Sequence, residues 1–333
     1  MKIRIPTLMV LILSLFCVTA SASERITLIV GGIEKQIYLP AKLAQQLGYL
    51  NEAGLDVELV SEPDGNHAET EMLSGAAQGV IGFYDHTIDL QAHGKQVQSV
   101  VQLSQAPGEV VLVAKAASAS IKSPADFKGK VLGVTGLGSS TNFLIRYLAY
   151  KAGLKNSEFA TLPIGSGTSF IAAMEQRKID AGMTSEPTIS RLTSTGAASV
   201  LIDLRNLNDT EAALGGAYPG ACLYMPTAWV NAHKEQVQKI VNAFVKALHY
   251  IQMHSAQEIA EKMPPEYMAS NKQLYITALA AGKAMFTADG VMPEFGPATV
   301  LNVLDGFNKS VQGKSINLAN TYTSEFVKAV NKQ

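Results

Sequence analysis

Cysteine and clustered positive charge are both scarce in this sequence of 333 residues. There are two cysteines, and 27 Lys and Arg residues are balanced by 28 Asp and Glu, giving a formal charge of -1. Because no run of Lys or Arg occurs, the basic surface that would hold many phosphates or an acidic membrane is missing. We therefore expect no nucleic-acid partner, and the 47% of hydrophobic residues indicates an ordinary globular protein.

The apolar run near the N-terminus, Leu8–Val18, is shorter than the roughly 18 residues that a membrane-spanning helix needs. Lys2 and Arg4 precede this run, and the small residues Ala20 and Ala22 follow it. This pattern is typical of a signal peptide that is cleaved after Ala22. We expect residues 1–22 to direct export and the mature protein to be soluble in the periplasm.

Loss of the signal peptide would leave one cysteine, Cys222. Cys17 follows Phe16 instead of the Gly or Ala of a lipid-attachment site, so a lipid anchor is the less favoured interpretation. An exported chain with one thiol has no internal disulfide, which fits a bacterial periplasmic protein stabilised by its core. We predict that Cys222, beside Leu223 and Tyr224, is buried and not catalytic.

Motifs of several enzyme classes are missing as well. The sequence has no Gly-x-Ser-x-Gly, no His-Glu-x-x-His, and no Pro-Cys-x-x-Cys to complete a zinc site with His67 and Glu69. His86 and His93 are seven residues apart, a weak spacing for a metal pair, and are interpreted as surface or capping histidines. We predict no catalytic residue, no metal and no cofactor, with a periplasmic enzyme kept as an alternative.

One pattern of apolar runs and helical spacings occurs twice along the chain. Each copy predicts the series strand, helix, strand, helix, strand, which indicates an α/β fold. The first copy comprises 26–30, a helix opened by Pro40, 54–60, 69–77 and 79–83, and the second comprises 130–135, 141–152, 160–164, 169–177 and 181–184.

The repeat predicts two domains with crossings, and hence a hinge, near 114–118 and 216–222. Apolar residues recur on one face of a helix that can begin at Asn231, and such a helix needs a sheet to cover. The first domain is therefore predicted to be discontinuous, 23–114 with 222–333, and the second to span 115–221. Each is expected to be a mainly parallel sheet flanked by helices, with a ligand cleft between them.

Small, polar loops follow several predicted strands. They include Gly31-Gly32, Gly65-Asn66, Gly138-Ser139 and Gly165–Thr168. Loops of this kind lie at the carboxyl edge of a sheet, where ligands of α/β proteins bind. Thr135–Thr141 also precedes a helix, whose free N–H groups favour an anionic or oxygen-rich group, although a plain helix cap explains it too. A dinucleotide motif is rejected because the third glycine is absent.

Aromatic and acidic residues lie beside the same loops, and would suit an organic ligand with a stacking face or a hydrogen-bond donor. The predicted ligand-binding residues are Gly32, Tyr38, Asn66, Tyr84, Asp85, Ser139, Ser140, Thr141, Asn142, Thr168, Glu186 and Tyr218.

The chain resembles a known family, the type 2 periplasmic solute-binding proteins of ABC importers in the nitrate, sulfonate, taurine and thiamine-pyrimidine-precursor group. The most specific piece is Leu39–Val60, which looks like the opening helix and second strand of that family. Supporting pieces are Asp126–Val134, Gly136–Thr141, the run Lys178–Gly182 that leads to Glu186-Pro187, and the helix from His233 onward.

The resemblance implies a two-domain hinge protein that hands its solute to a membrane permease with a cytoplasmic ATPase. Ser139, Ser140 and Thr141 correspond to the Ser/Thr-rich helix start of the family, and Glu186-Pro187 to its acid-proline step. Ser185 replaces the aromatic residue that often precedes this acid, which argues against carrying over a sulfonate pocket. Relatives that synthesise a pyrimidine precursor use a cysteine-rich motif, and Cys222 alone does not supply it.

The expected function is capture of a small organic solute that is sulfonate-, carboxylate- or pyrimidine-like. The protein is expected to act as a monomer, with the permease and ATPase as its partners. Alternatives are a periplasmic enzyme on the same fold and a sensory protein that presents its ligand to a receptor.

The signal-peptide pattern makes one direct prediction. The mature protein should begin at Ser23, because Ala20 and Ala22 satisfy the small-residue rule for cleavage. N-terminal sequencing of protein recovered from the periplasm measures this, and an intact Met1 or a lipidated Cys17 would contradict it.

Overall fold

A computed structural model describes residues 25–268 and 271–330. The predicted signal peptide and its cleavage site lie outside the described residues. The α/β prediction is confirmed, since two sheets of five strands each are flanked by helices. None of the helices in these two ranges is long and apolar enough to cross a membrane.

The strands and helices are numbered here in chain order. The strands are β1 Ile26–Val30, β2 Val57–Ser61, β3 Gly79–Phe83, β4 Val97–Gln102, β5 Glu109–Ala114, β6 Val131–Val134, β7 Ala160–Pro163, β8 Ala181–Ser185, β9 Ala198–Leu204 and β10 Ala221–Pro226. The helices are α1 Leu39–Gln46, α2 Tyr49–Glu52, α3 Gly65–Ser74, α4 Asp85–Ala92, α5 Ser140–Lys151, α6 Thr168–Glu175, α7 Thr188–Ser194, α8 Leu207–Leu214, α9 Thr227–Ala232, α10 Lys234–Met253, α11 Ala256–Ala260, α12 Lys272–Gly282, α13 Gly296–Phe307 and α14 Glu325–Val330.

The two sheets have the same arrangement. The first has the order β2-β1-β3-β10-β4 and the second β7-β6-β8-β5-β9. In each sheet, the first three strands are parallel, and the fourth strand pairs antiparallel with the strands on both sides of it. This fourth strand is the first one that the chain forms after a crossing between the sheets. The carboxyl ends of each parallel trio therefore form one loop-bearing edge.

The first crossing lies earlier than predicted. Strand β5 belongs to the second sheet, where it pairs antiparallel with both β8 and β9, so the chain leaves the first sheet between Gln102 and Glu109. The assignment of residues 109–114 to the first domain and the crossing near 114–118 are corrected accordingly. The physical reason is that the backbone of β5 pairs with β8 on one side and β9 on the other, which places this fully buried strand in the interior of the second sheet. The chain returns to the first sheet between Leu204 and Ala221.

Helix α10 covers the first sheet. Its buried residues, among them Val237, Ile240, Val241, Phe244 and Leu248, share one apolar core with β1, β3 and β10. The helix begins at Lys234 and not at Asn231, because His233 adopts a non-helical backbone conformation between α9 and α10. Helix α13 packs differently, against α4 of the first sheet and α5 of the second, and so connects the two halves.

Shortening one buried side chain of α10 tests how far the stability of the protein depends on the packing of this helix against the first sheet. Phe244 is fully buried, so Phe244→Ala should lower the free energy of unfolding by about 3 to 5 kcal/mol through lost burial and a cavity. Met253 lies on the same helix and is 81% exposed, so Met253→Ala should change it by less than about 0.5 kcal/mol. Urea denaturation measures both, and equal effects would contradict the packing described.

Candidate functional site

The loop-bearing edges of the two sheets face each other and enclose a small cavity. The cavity volume is ≈ 10 Å³, about the room that one water molecule needs. Both halves of the chain contribute to its wall, which consists of Lys35, Ile37, Tyr38, Gly65, Phe83, His86, Glu109, Thr135, Ser139, Ser140 and Ser185. The cleft between the sheets, called the cleft below, is therefore closed and lined by polar and charged groups.

Asp85 links the two halves at the base of the cleft. It begins α4 and is fully buried, and its carboxylate accepts a hydrogen bond from the Ser140 hydroxyl at 2.8 Å and another from the Tyr218 hydroxyl at 2.8 Å. Burial raises the pKa of Asp85, and the charge of His86 and these two hydrogen bonds oppose that rise. Three of the predicted residues thus meet in one buried cluster.

The outer rim of the cleft is closed by direct contacts. The backbone N–H of Gln36 donates to the Glu186 carbonyl at 3.1 Å, and the Ser166 hydroxyl donates to the Glu34 carboxylate at 3.2 Å. A Cβ atom added to Gly136 would lie 2.3 Å from Asp64 Oδ2, across the cleft. The absence of a side chain at Gly136 is therefore what allows the two edges to approach.

The loop before α5 uses most of its hydroxyl groups internally. Ser139 is the N-cap of α5, and its oxygen accepts from the Asn142 N–H, while its hydroxyl donates to the Gly136 carbonyl at 2.7 Å. Thr141 Oγ1 accepts from the Thr135 N–H at 3.0 Å. Ser140 faces a carboxylate, as described above. The Asn142 side-chain nitrogen is buried with no hydrogen-bond partner among the described residues.

Glu186 is buried but fully engaged within its own half. Its carboxylate accepts from the Ser190 N–H and hydroxyl, each at 2.9 Å, and from the Arg205 guanidinium at 2.9 Å. Burial raises the pKa of Glu186, opposed by these Ser190 hydrogen bonds and the Arg205 charge. The peptide bond between Glu186 and Pro187 is cis, and it turns the chain at the end of β8.

The other predicted residues divide into two groups. Tyr38 lines the cavity edge-to-face with Phe83, Gly32 adjoins the Lys35 side chain, and Asn66 faces Gly138 across the cleft. Of the predicted residues, Tyr38, Ser139 and Ser140 form part of the cavity wall, and two others do not come to the cleft. The Tyr84 hydroxyl bonds to the Thr321 hydroxyl inside the core, and Thr168 is exposed at the start of α6.

Lys35 lines the cavity although it is not among the predicted residues. Its side chain is buried, and its ammonium donates to the carbonyl oxygens of Gly31 at 2.6 Å and Pro63 at 3.3 Å. Burial lowers the pKa of Lys35, while the charges of Glu34 and Glu109 act in the opposite direction. No local pattern marks it, because a lysine three residues after a Gly-Gly pair is as compatible with an exposed loop.

The interpretation of His86 as a surface or capping residue is wrong. It is 2% exposed, its Nδ1 lies 3.0 Å from Glu69 Oε2, and its Nε2 lies 4.0 Å from Asp85 Oδ1. Burial alone would lower the pKa of His86, but the hydrogen bond with Glu69 and the charges of Asp85 and Glu69 outweigh it and raise the pKa to about 9. His86 is thus the charged partner of an acidic pair.

Glu109, also missed, is the first residue of β5 and lies beside the cavity. It is 3% exposed, and its Oε2 has no hydrogen-bond partner within residues 25–268 and 271–330. Burial raises the pKa of Glu109 well above its usual range, the charge of Asp85 adds to this, and the charges of Lys35 and His86 oppose it. An unpaired buried acid of this kind is a feature of functional sites.

A metal site and the thiol of Cys222 are the two remaining candidates for reactive chemistry. Over the ranges that the structure describes, no group of three or more His, Cys, Asp or Glu residues could hold a metal ion. Cys222 is fully buried in β10, as predicted, and burial raises the pKa of its thiol.

The raised pKa of His86 predicts a pH dependence of stability. Since the folded-state pKa of about 9 exceeds the ordinary 6.5, the contribution of His86 is complete below about pH 6.5 and is lost as the pH rises through 9. The free energy of unfolding should fall by about 2 to 4 kcal/mol across this range. His86→Gln should lose that slope, whereas a variant of the half-exposed His93, His93→Asn, should keep it. Denaturation series at pH 6 to 9 measure this, and an unchanged slope in His86→Gln would contradict it.

Two solved structures share the fold of this chain. A solved structure from Bordetella bronchiseptica is 33% identical, with a TM-score of 0.89 over 92% of this chain and 97% of that one. The alkanesulfonate-binding protein of Xanthomonas axonopodis, solved with MOPS bound, is 18% identical, with a TM-score of 0.72 over 91% of this chain and 100% of that one. The latter likeness establishes the fold alone.

A curated sequence relative is named as an enzyme. The 4-amino-5-hydroxymethyl-2-methylpyrimidine phosphate synthase THI11 of Saccharomyces cerevisiae is 28% identical over 163 residues, which are 49% of this chain. The match spans 46% of the yeast protein, less than half of its length. The model of the family described as NMT1/THI5 like matches residues 38–258, well over half of the chain. On this match, the chain belongs to the NMT1/THI5-like family.

Proposed function

We propose that this protein is the solute-binding component of an ABC-type importer. It captures a small organic solute in the periplasm and delivers it to a membrane permease that a cytoplasmic ATPase drives. The observation that carries the proposal is the closed cleft, in which the loop edges of two similar sheets meet around buried polar groups. Such a site encloses a solute without needing a reactive side chain.

The size of the cavity requires the halves to separate during binding. A space of ≈ 10 Å³ holds about one water molecule, whereas sites for small organic ligands enclose about 300 Å³ or more. Helix α13 packs on both α4 and α5, so this side acts as the pivot. The rim contacts Gln36 to Glu186 and Glu34 to Ser166 lie in the segments that part. The crossings within 103–108 and 205–220 bend to allow this.

The domain division follows from the same reasoning. We assign residues 25–108, 221–268 and 271–330 to the first moving unit and 109–220 to the second, with α13 at their contact. This differs from the sequence-based division chiefly in placing β5 with the second unit. A monomer suffices, because both walls of the cleft come from one chain.

Catalysis of the kind named for the yeast relative is disfavoured by the one cysteine of the mature chain. Cys222 is buried in β10 and its thiol pKa is raised, so it supplies neither a thiolate nucleophile nor a metal ligand. Purification from the periplasm followed by native mass spectrometry tests binding against turnover. A bound solute that is recovered chemically unchanged after incubation supports capture, and a changed solute would support the enzyme.

Closure can be tested by placing a wedge in the cleft. In Gly136→Ala the added methyl would overlap Asp64 Oδ2, so the rim should stay apart. The variant should bind the co-purified solute about 10-fold or more weakly, and small-angle scattering should show less compaction on binding than in the wild type. The matched control is Gly282→Ala, where the added atom meets nothing closer than 3.8 Å and binding should not change. Unchanged compaction in Gly136→Ala would contradict the proposed movement.

A further inference from the structure

The acidic side chains of the cleft differ in whether hydrogen-bond donors reach their carboxylate oxygens. Asp85 accepts from Ser140 and Tyr218, and Glu186 accepts from Ser190 and Arg205, as described above.

Asp64 is also satisfied, since it caps α3 by accepting from the N–H groups of Asn66 and His67. The Oε2 atom of Glu109 is the exception, being buried and without a donor across the described ranges. Leaving a carboxyl oxygen in this state is unfavourable unless a ligand completes it.

We propose that Glu109 selects the solute, and that the solute carries a cationic nitrogen group, a protonated amine or amidine, which donates a hydrogen bond to Glu109 Oε2. This inference rests on the proposed solute-binding function. It assigns a chemical class to the solute and a specificity-determining role to Glu109.

The missing donor at Glu109 favours a cationic ligand over an anion. Lys35 and His86 carry positive charge near Glu109, but the Lys35 ammonium donates to two backbone carbonyls and His86 pairs with Glu69, and neither donates a hydrogen bond to Glu109 Oε2. A sulfonate or carboxylate has no hydrogen to donate to Glu109 Oε2. A cationic N–H group supplies the missing hydrogen bond, and its charge favours the ionised form of Glu109, which burial disfavours.

The apolar part of the wall suggests the shape of the solute. Tyr38 and Phe83 line the cavity with their rings edge-to-face, at a centroid distance of 6.4 Å. Aromatic rings attract flat organic molecules and add a cation–π contribution when the group is positively charged. A flat organic cation therefore matches both the ring wall and the unpaired acid.

The test is a binding screen on the mature protein with a library of small organic solutes. The library includes matched sets of one ring and different charge, such as benzamidinium, benzamide and benzenesulfonate. Thermal shift identifies the binders, and calorimetry measures their affinities for the wild type, Glu109→Gln and Glu109→Ala. The control is Glu211→Gln, which changes an exposed acid on α8 in the same half of the protein.

The expected result is that the tightest binders are cations with N–H donors. Glu109→Gln should weaken their binding by about 10- to 100-fold, and Glu211→Gln should leave it unchanged. Glu109→Gln should melt at the wild-type temperature or higher, because it removes a buried acid. Glu109→Ala serves the same purpose if the glutamine variant does not fold.

Three results would overturn the inference, and they differ in what they say of the proposed function. If an anion or a neutral solute binds tightest, or if both Glu109 variants bind cations as the wild type does, the inference alone fails. If no solute in the library binds the wild type, both the inference and the solute-binding function fail.

Discussion

The burial of charged groups where two sheet edges meet is the constraint on which the rest of the structure depends. A carboxylate or ammonium removed from water is tolerated only with partners that replace its hydration. Asp85 finds them in Ser140 and Tyr218, which lie far from it in sequence. Because these donors come from the other half of the chain, the charge of Asp85 specifies how the halves meet. A hydrophobic interface of the same size would bury area without fixing a single geometry.

The topology supplies what this constraint needs. In each sheet the fourth strand is the first strand that follows a crossing along the chain, β10 in the first sheet and β5 in the second. Each crossing segment is thus held by a strand at both of its ends, between β4 and β5 on the way out and between β9 and β10 on the way back. Glu109 begins β5 directly after the first crossing, which places it at the point where the two edges converge.

Local patterns predicted the elements well, and the cleft only in part. The strand, helix, strand series, the Ser139 helix start and the convergence of Asp85 with Ser140 follow from spacing and from the rule that parallel strands share a carboxyl edge. The position of β5 did not follow, because the apolar run 110–114 fits the interior of either sheet. Its sheet is decided by pairing with β8 and β9, which are distant in sequence.

The other residues of the cleft could not be predicted, because the sequence does not tell which way a side chain points just after a strand ends. Tyr84 and Asp85 are neighbours after β3, yet the tyrosine enters the core and the acid enters the cleft. Both residues belong to the start of α4, where successive side chains point in directions about 100° apart around the helix axis, so no pattern in one sequence tells which of the two faces a ligand. Lys35 and His86 were missed for a related reason. Their burial depends on a carbonyl cage and on Glu69, both of which form only when the loops pack.

Closure of the cleft buries Glu109 without a hydrogen-bond donor, and this raises the free energy of the closed form. An unsatisfied buried polar group costs about 1 to 3 kcal/mol, which is the range that separates a major conformer from a minor one. On the proposed function, a solute that donates to Glu109 removes this cost only when both edges surround it, since Glu109 belongs to one half and Tyr38 to the other. A ligand shifts a conformational equilibrium only by its difference in affinity for the two states. The same acid that disfavours closure without a solute therefore makes the closed form, the one fit for delivery, depend on capture.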